Sequence, residues 1–130
     1  TTRAPRGRLG DWVLVQVRDA RFNLIEAARL LQRRKRSGQA VPLTERSALS
    51  YYLVGETLRL LVESEGDAEA AARAVAGSED LLPRVLPRVL KVVEVLRAAR
   101  ADDDLKRVFG KLPAGYEEIL QRAHRMVANR

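Results

Sequence analysis

Apolar and polar positions alternate at a helical period along almost the whole chain, and the densest stretch is Ala48 to Val62, ALSYYLVGETLRLLV. At about 100° per residue, it sets Tyr51, Val54, Leu58, Leu61 and Val62 on one side and Leu49, Leu53 and Leu60 on nearly the opposite one. A helix apolar on two sides needs neighbours on both, so this segment is expected at the centre of a bundle. Gly55 in its middle costs about 1 kcal/mol relative to alanine. Either another backbone passes close by or the glycine is simply tolerated.

The same pattern predicts the other elements. Asp11 is a candidate N-cap, and from Trp12 to about Arg36 the residues Val13, Val17, Ala20, Leu24, Ala27, Ala28 and Leu31 recur on one face, giving one long helix ended by Gly38. Pro42 and the cap candidate Thr44 open the central helix, with Leu43 placed to staple onto Ala48, and Gly66 suits the left-handed position beyond its end. Asp67 caps a short alanine-rich helix, AEAAARAVA, that stops at Gly77. Ser78 starts a longer one that buries Leu82, Val85, Leu86, Val89, Val92, Val93 and Leu96 and reaches about Arg100. Pro87 would remove an interior hydrogen bond, which predicts a start or a kink there. A short helix, DLKRVFG, ends at Gly110, and Pro113 suits the first position of a final helix that buries Tyr116, Ile119, Leu120, Ala123 and Val127.

The expected fold class is therefore all-α, a compact bundle of five to six helices around a central apolar helix at about 44–65. Residues 11–130 are expected to form a single helical-bundle domain. Residues 1–10, TTRAPRGRLG, combine three arginines with Pro5, Gly7 and Gly10 and are expected to be a flexible basic arm. At 130 residues the chain is long enough to bury a core without staples. The absence of cysteine removes disulfides and thiolate zinc sites and makes a cytoplasmic setting the natural default. Apolar runs fall far below the ~20 residues of a bilayer span, so no membrane association is expected. The first residue is Thr1, which suggests trimming, processing or excision from something longer.

Charge changes the picture most. Residues 1–46 carry eleven Lys or Arg against four acids, whereas the remaining 84 hold thirteen of each sign, so the whole net charge of +7 sits in the first third. Such a bias points to an anionic partner. Arginine outnumbers lysine 20 to 4, which fits either phosphate recognition or a GC-rich coding composition. On the first predicted helix Arg18, Arg29, Arg33 and Arg36 form an outward stripe, extended by Arg34 and Lys35, with Phe22 and Ile25 interrupting it. A second stripe is Arg84, Arg88 and Lys91, at i, i+4 and i+7. One or two cations in a last helical turn are explained by the macrodipole; four in a row from Arg33 to Arg36 exceed that account.

Little else carries chemistry. His124 stands alone beside Arg122 and Arg125, and no nucleophile elbow, H-E-x-x-H or phosphate loop occurs. Asp102, Asp103 and Asp104 read as first-turn acids of a short helix rather than metal ligands. A helix-turn-helix between Asp67 and Lys91 would place Glu79 and Asp80 against phosphates and would be distorted by Pro83 and Pro87. No catalytic residue, cofactor or metal is expected. The leading expectation is a non-catalytic nucleic-acid-binding protein or subunit, DNA or RNA, contacting phosphates through Arg18, Arg29, Arg33, Arg34, Lys35, Arg36, Arg84, Arg88 and Lys91. The alternative is a helical adaptor or assembly subunit that meets an acidic protein, with Phe22 and Ile25 as exposed apolar contacts. An enzyme with an unrecognised site is the third.

Overall fold

The computed structural model describes residues 8–129, which are all-helical, with no strand among them. The helices are α1 Leu9–Asp19, α2 Leu24–Arg36, α3 Arg46–Glu63, α4 Ala68–Ala76, α5 Leu82–Ala98, α6 Asp102–Phe109 and α7 Glu117–Ala128, with a 3-10 turn at Glu79–Leu81. No helix among the described residues is long and apolar enough to cross a membrane. Of the expected basic arm, residues 1–7 lie outside the described residues. Arg8 is already the N-cap of α1, and Leu9 and Gly10 are helical.

The single helix expected from Trp12 to Arg36 is in fact two, divided at a corner where Arg21 and Phe22 take left-handed backbone angles, φ 54° and 63°. Phe22 N–H donates to Val17 O at 2.8 Å, and the Asn23 side chain accepts the Glu26 N–H at 3.0 Å to start α2. Two such residues cost about 1–2 kcal/mol each. Burying the Phe22 ring, 4% exposed, returns about 2–3 kcal/mol, and the asparagine cap adds about 1 kcal/mol. The corner therefore forms, and Arg18 and Arg29 end up on different helices.

α3 packs against α1, α2, α4 and α7, and α5 packs against α4 and α7. These two helices are bridged by α4 and α7 and share little direct contact of their own. The expected neighbour of Gly55 is a ring rather than a backbone: a Cβ built there would lie 2.8 Å from Tyr116 Cδ1 and Cε1. At the end of α3, Glu65 and Gly66 adopt φ 55° and 84°, and Gly66 N–H closes onto Leu61 O at 2.9 Å, the left-handed termination anticipated at Gly66.

Other boundaries shift for local reasons. Glu45, not Thr44, precedes the first helical residue of α3. Asp67 caps α4 by accepting the N–H groups of Glu69 and Ala70, at 3.1 and 3.2 Å. α5 neither starts nor ends at Pro87 but runs through it; Pro87 and Pro83, whose carbonyl loses its helical donor, are both exposed, and water can satisfy it. Pro113 lies in the loop before α7, and Tyr116 takes the N-cap position instead.

The core comprises the apolar faces of all seven helices, with Val13, Val17, Leu31, Leu49, Leu58, Leu61, Val75, Val85, Val89, Leu96 and Leu105 almost wholly enclosed. Of the residues expected inside it, Leu82, Leu86 and Ile119 are only half-buried, and so are Tyr51, Val54 and Val92. Tyr51, Val54 and Val92 line the hollows between α3 and α5.

Candidate anion-binding channel

Five surface concavities, each sharing at least one lining residue with the next, make up a series, called the channel. It begins beside the last turn of α2, where Gln32, Lys35 and Arg36 line a hollow of about 340 Å³. Gln32 also borders the next, about 310 Å³, with Ile25, Ala28, Arg29 and Arg46. Ile25 and Arg46 continue into a cavity of about 500 Å³ at the α1–α2 corner, where Phe22, Ser47, Ser50, Tyr51 and Arg88 join them. From Ser50 the channel drops between α3 and α5 into a hollow of about 380 Å³ over Val54, Thr57, Val85 and Val89. It widens to about 790 Å³ against α6, bordered by Val92, Val95, Val108, Phe109, Leu112 and four cations.

The helical periods set this lining. On α2, Ile25, Arg29, Gln32 and Arg36 follow one another at four, three and four residues and so share a face. On α5, Arg88, Val92 and Val95 do the same, with Lys91 beside them. Every charged side chain lining the five concavities is a cation: Arg29, Lys35, Arg36, Arg46, Arg88, Lys91, Lys106, Arg107 and Lys111. Three of them have an acid one turn away on their own helix: Arg29 with Glu26 at 3.2 Å, Lys91 with Glu94 at 3.9 Å and Arg107 with Asp104 at 3.4 Å. Such exposed pairs contribute about 0–1 kcal/mol, so they leave the cations available to a ligand.

Of the residues singled out in the sequence, the fold gathers Arg29, Lys35, Arg36, Arg88 and Lys91 into the channel and separates the others from it. Arg18 is turned inward, donating from Nε to Val75 O and from a terminal nitrogen to Ala74 O, both at 2.9 Å, which satisfies the C-terminal carbonyls of α4. Arg34 crosses to α1 and donates to Gln16 Oε1 at 2.9 Å. Arg84 and Arg88 donate to the carbonyls of Arg21 and Phe22 at 3.3 Å and so hold the corner. Arg33 is exposed one turn beyond Arg29 on α2 and borders none of the five concavities. The stripe expected from Arg18 to Arg36 is cut short, because the corner puts Arg18 on α1 and leaves Arg29, Arg33 and Arg36 at i, i+4 and i+7 on α2. Phe22, expected as an exposed contact, is buried, whereas Ile25 is 58% exposed.

Sequence reasoning missed Arg46, Lys106, Arg107 and Lys111, which lie far from α2 in sequence and join the channel only through tertiary packing. It also missed the one buried carboxylate among the described residues. Glu56 is fully enclosed and accepts four hydrogen bonds. Arg8 donates to both of its oxygens, Arg59 Nε to Oε1 at 3.0 Å and the Tyr116 hydroxyl to Oε2 at 2.5 Å. Burial by itself would raise the Glu56 pKa, but the hydrogen bonds from Arg8, Arg59 and Tyr116 outweigh it and hold the carboxyl below its ordinary 4.5. Burial, with the adjoining carboxylate, pushes the Tyr116 hydroxyl above its ordinary 10.0. With about four lone-pair sites on a carboxylate, Glu56 has its acceptor capacity filled. The group borders none of the channel's concavities.

The remaining candidates have structural partners. His124 donates from Nε2 to Ala99 O at 2.8 Å, linking α7 to the end of α5. Asp102, Asp103 and Asp104 occupy the first turn of α6, and Asp104 accepts the Arg100 N–H at 2.9 Å. Comparisons with protein-family models, with curated proteins and with solved structures each find no match.

Proposed function

We propose that the protein is a non-catalytic binding module, a helical adaptor that holds an acidic protein partner along the channel. The observation that carries this reading is the lining itself: nine cations and no carboxylate line the five concavities, and five of those cations, Arg88, Lys91, Lys106, Arg107 and Lys111, border the apolar floor between α3 and α5. Exposed apolar surface gains by being covered, and a rim of one sign selects an oppositely charged partner and speeds encounter with it. The filled hydrogen-bonding capacity and depressed pKa of Glu56 fit a structural role for that residue, since a general acid or base needs a proton site open to substrate and a pKa near the working pH. A cysteine-free chain is also compatible with work in the reducing cytoplasm.

Titration calorimetry with a glutamate-rich peptide as probe tests this function. Lys91→Glu, Lys106→Glu and Lys111→Glu together are expected to weaken binding by at least ~10-fold, since each rim charge in such an interface is worth about 0.5–1 kcal/mol. All three side chains are exposed, so the helical circular dichroism stays unchanged. Undiminished affinity in the triple variant refutes the site.

A second reading, binding of a nucleic-acid backbone, is favoured by one observation: Arg33, Lys35 and Arg36 are exposed in the last turn of α2, and none of the side-chain bonds described there reaches them. Arg33→Glu, Lys35→Glu and Arg36→Glu together would abolish a salt-dependent shift of a DNA or RNA duplex if those groups contact phosphates.

A further inference from the structure

We infer that the partner enters the α3–α5 trough as one amphipathic helix, its apolar stripe on the floor and its acids flanking that stripe. This rests on the adaptor reading above and specifies what occupies its deepest part. α3 and α5 each pack against both α4 and α7, and the two adjoining hollows between them, about 380 and 790 Å³, share Ser50, Val54, Lys91 and Val92. From Val85 to Val95 the trough follows ten residues of α5, roughly 15 Å or three helical turns. Its floor holds Val54, Val92, Val95 and Phe109, and Val108, 57% exposed, stands at its α6 border. That surface can receive three successive anchors spaced i, i+4 and i+7.

The conformation of the occupant follows from its backbone. No sheet edge exists among the described residues, so an extended peptide laid on this floor would leave main-chain N–H and C=O groups without partners. A helix satisfies them internally and presents only side chains. Charge decides which helix: Lys91, Lys106, Arg107 and Lys111 border the wide end and Arg88 the narrow one. The chain's own opening residues, 1–7, carry two arginines and no acid, so like charge opposes their docking here. A second copy of a chain with net charge +7 meets the same repulsion. Splayed nucleic-acid bases need aromatic platforms, and this floor is largely aliphatic.

The test uses a designed peptide of about 18 residues, about five turns, with leucines at i, i+4, i+7 and i+11 and glutamates on both flanks. The controls are a shuffled peptide of identical composition, a duplex DNA and vesicles of anionic phospholipid. The helical peptide is expected to bind at least ~10-fold more tightly than the shuffled one and to gain circular dichroism at 222 nm on mixing. Val92→Asp is expected to abolish binding. Should that variant lose its fold, Val108→Asp, at an exposed position, is expected to weaken binding several-fold. Lys106→Glu with Lys111→Glu is expected to reduce both affinity and its salt dependence. Equal binding of the shuffled peptide overturns the helix inference and leaves the adaptor reading standing. Binding of the duplex or the vesicles alone, or of no probe, overturns both.

Discussion

Replacing Glu56 with glutamine keeps the side-chain volume and removes one charge, so the change probes electrostatics without opening a cavity. In the native protein both carboxylate oxygens are saturated by Arg8, Arg59 and Tyr116. Glutamine has one acceptor oxygen, and its NH₂ group would face guanidinium or hydroxyl donors. Removing one partner of a fully buried ion pair costs about 3–5 kcal/mol. The side chains of Arg8 and Arg59 are 45% and 22% exposed, so both can turn partly to water, and about 3 kcal/mol is the expected loss. For a chain of this size that lowers Tm by roughly 10 °C. Urea unfolding at pH 7, followed by circular dichroism, measures it. The dependence on pH is a second signature. Because the folded-state pKa lies below the ordinary 4.5, the unfolded chain takes up the proton first on acidification. The carboxylate's contribution is therefore complete above about pH 4.5, and it is lost as the pH falls through the folded-state value. The gap between wild type and Glu56→Gln should narrow over that acidic range. A loss under about 1 kcal/mol at pH 7, or a gap that widens in acid, would refute the assignment of Glu56 as a charged, fully bonded group.

Gly55→Ala should destabilise by about 1–3 kcal/mol, because the new methyl meets the Tyr116 ring face at 2.8 Å and the ring must move; thermal melts check it, and a neutral result would show that the ring yields freely. Arg18→Ala should cost about 1 kcal/mol in urea unfolding by leaving the Ala74 and Val75 carbonyls to water, while leaving binding of the glutamate-rich peptide unchanged. Asn23→Ala should cost about 1 kcal/mol through the lost cap of α2, with raised amide hydrogen exchange at Glu26 as the local readout.

Much of the helical content was legible because apolar residues at three- and four-residue spacing have few other ways to be buried. The boundaries that could be read were those marked by local chemistry: Asp67 opening α4, Gly66 and Gly77 closing α3 and α4, Gly38 after α2. The α1–α2 corner was not, since apolar spacing continues across it and the left-handed residues are Arg21 and Phe22, neither of which announces such a conformation. A signal was nonetheless present: Asn23 followed three residues later by Glu26 is a helix-start pattern. The stripes were legible as charge but not as surface. A guanidinium that meets phosphate and one that satisfies the end of a neighbouring helix look identical in sequence, and Arg18, Arg84 and Arg88 bond to backbone carbonyls. Conversely, the channel joins Arg46, Lys106 and Lys111 to α2 through contacts between distant segments. Tyr51, Val54 and Val92 follow core periodicity because they are apolar, and only the spacing of α3 from α5 determines that they remain accessible.

The Glu56 cluster has a consequence for how the chain is made. During synthesis from the N-terminus, Arg8, Glu56 and Arg59 emerge well before Tyr116, which follows Glu56 by 60 residues. Until the last helix arrives to enclose it, the acid remains hydrated and the nascent domain lacks one wall. A chain truncated before Tyr116 would present a solvated carboxylate where the folded protein has its driest polar contact.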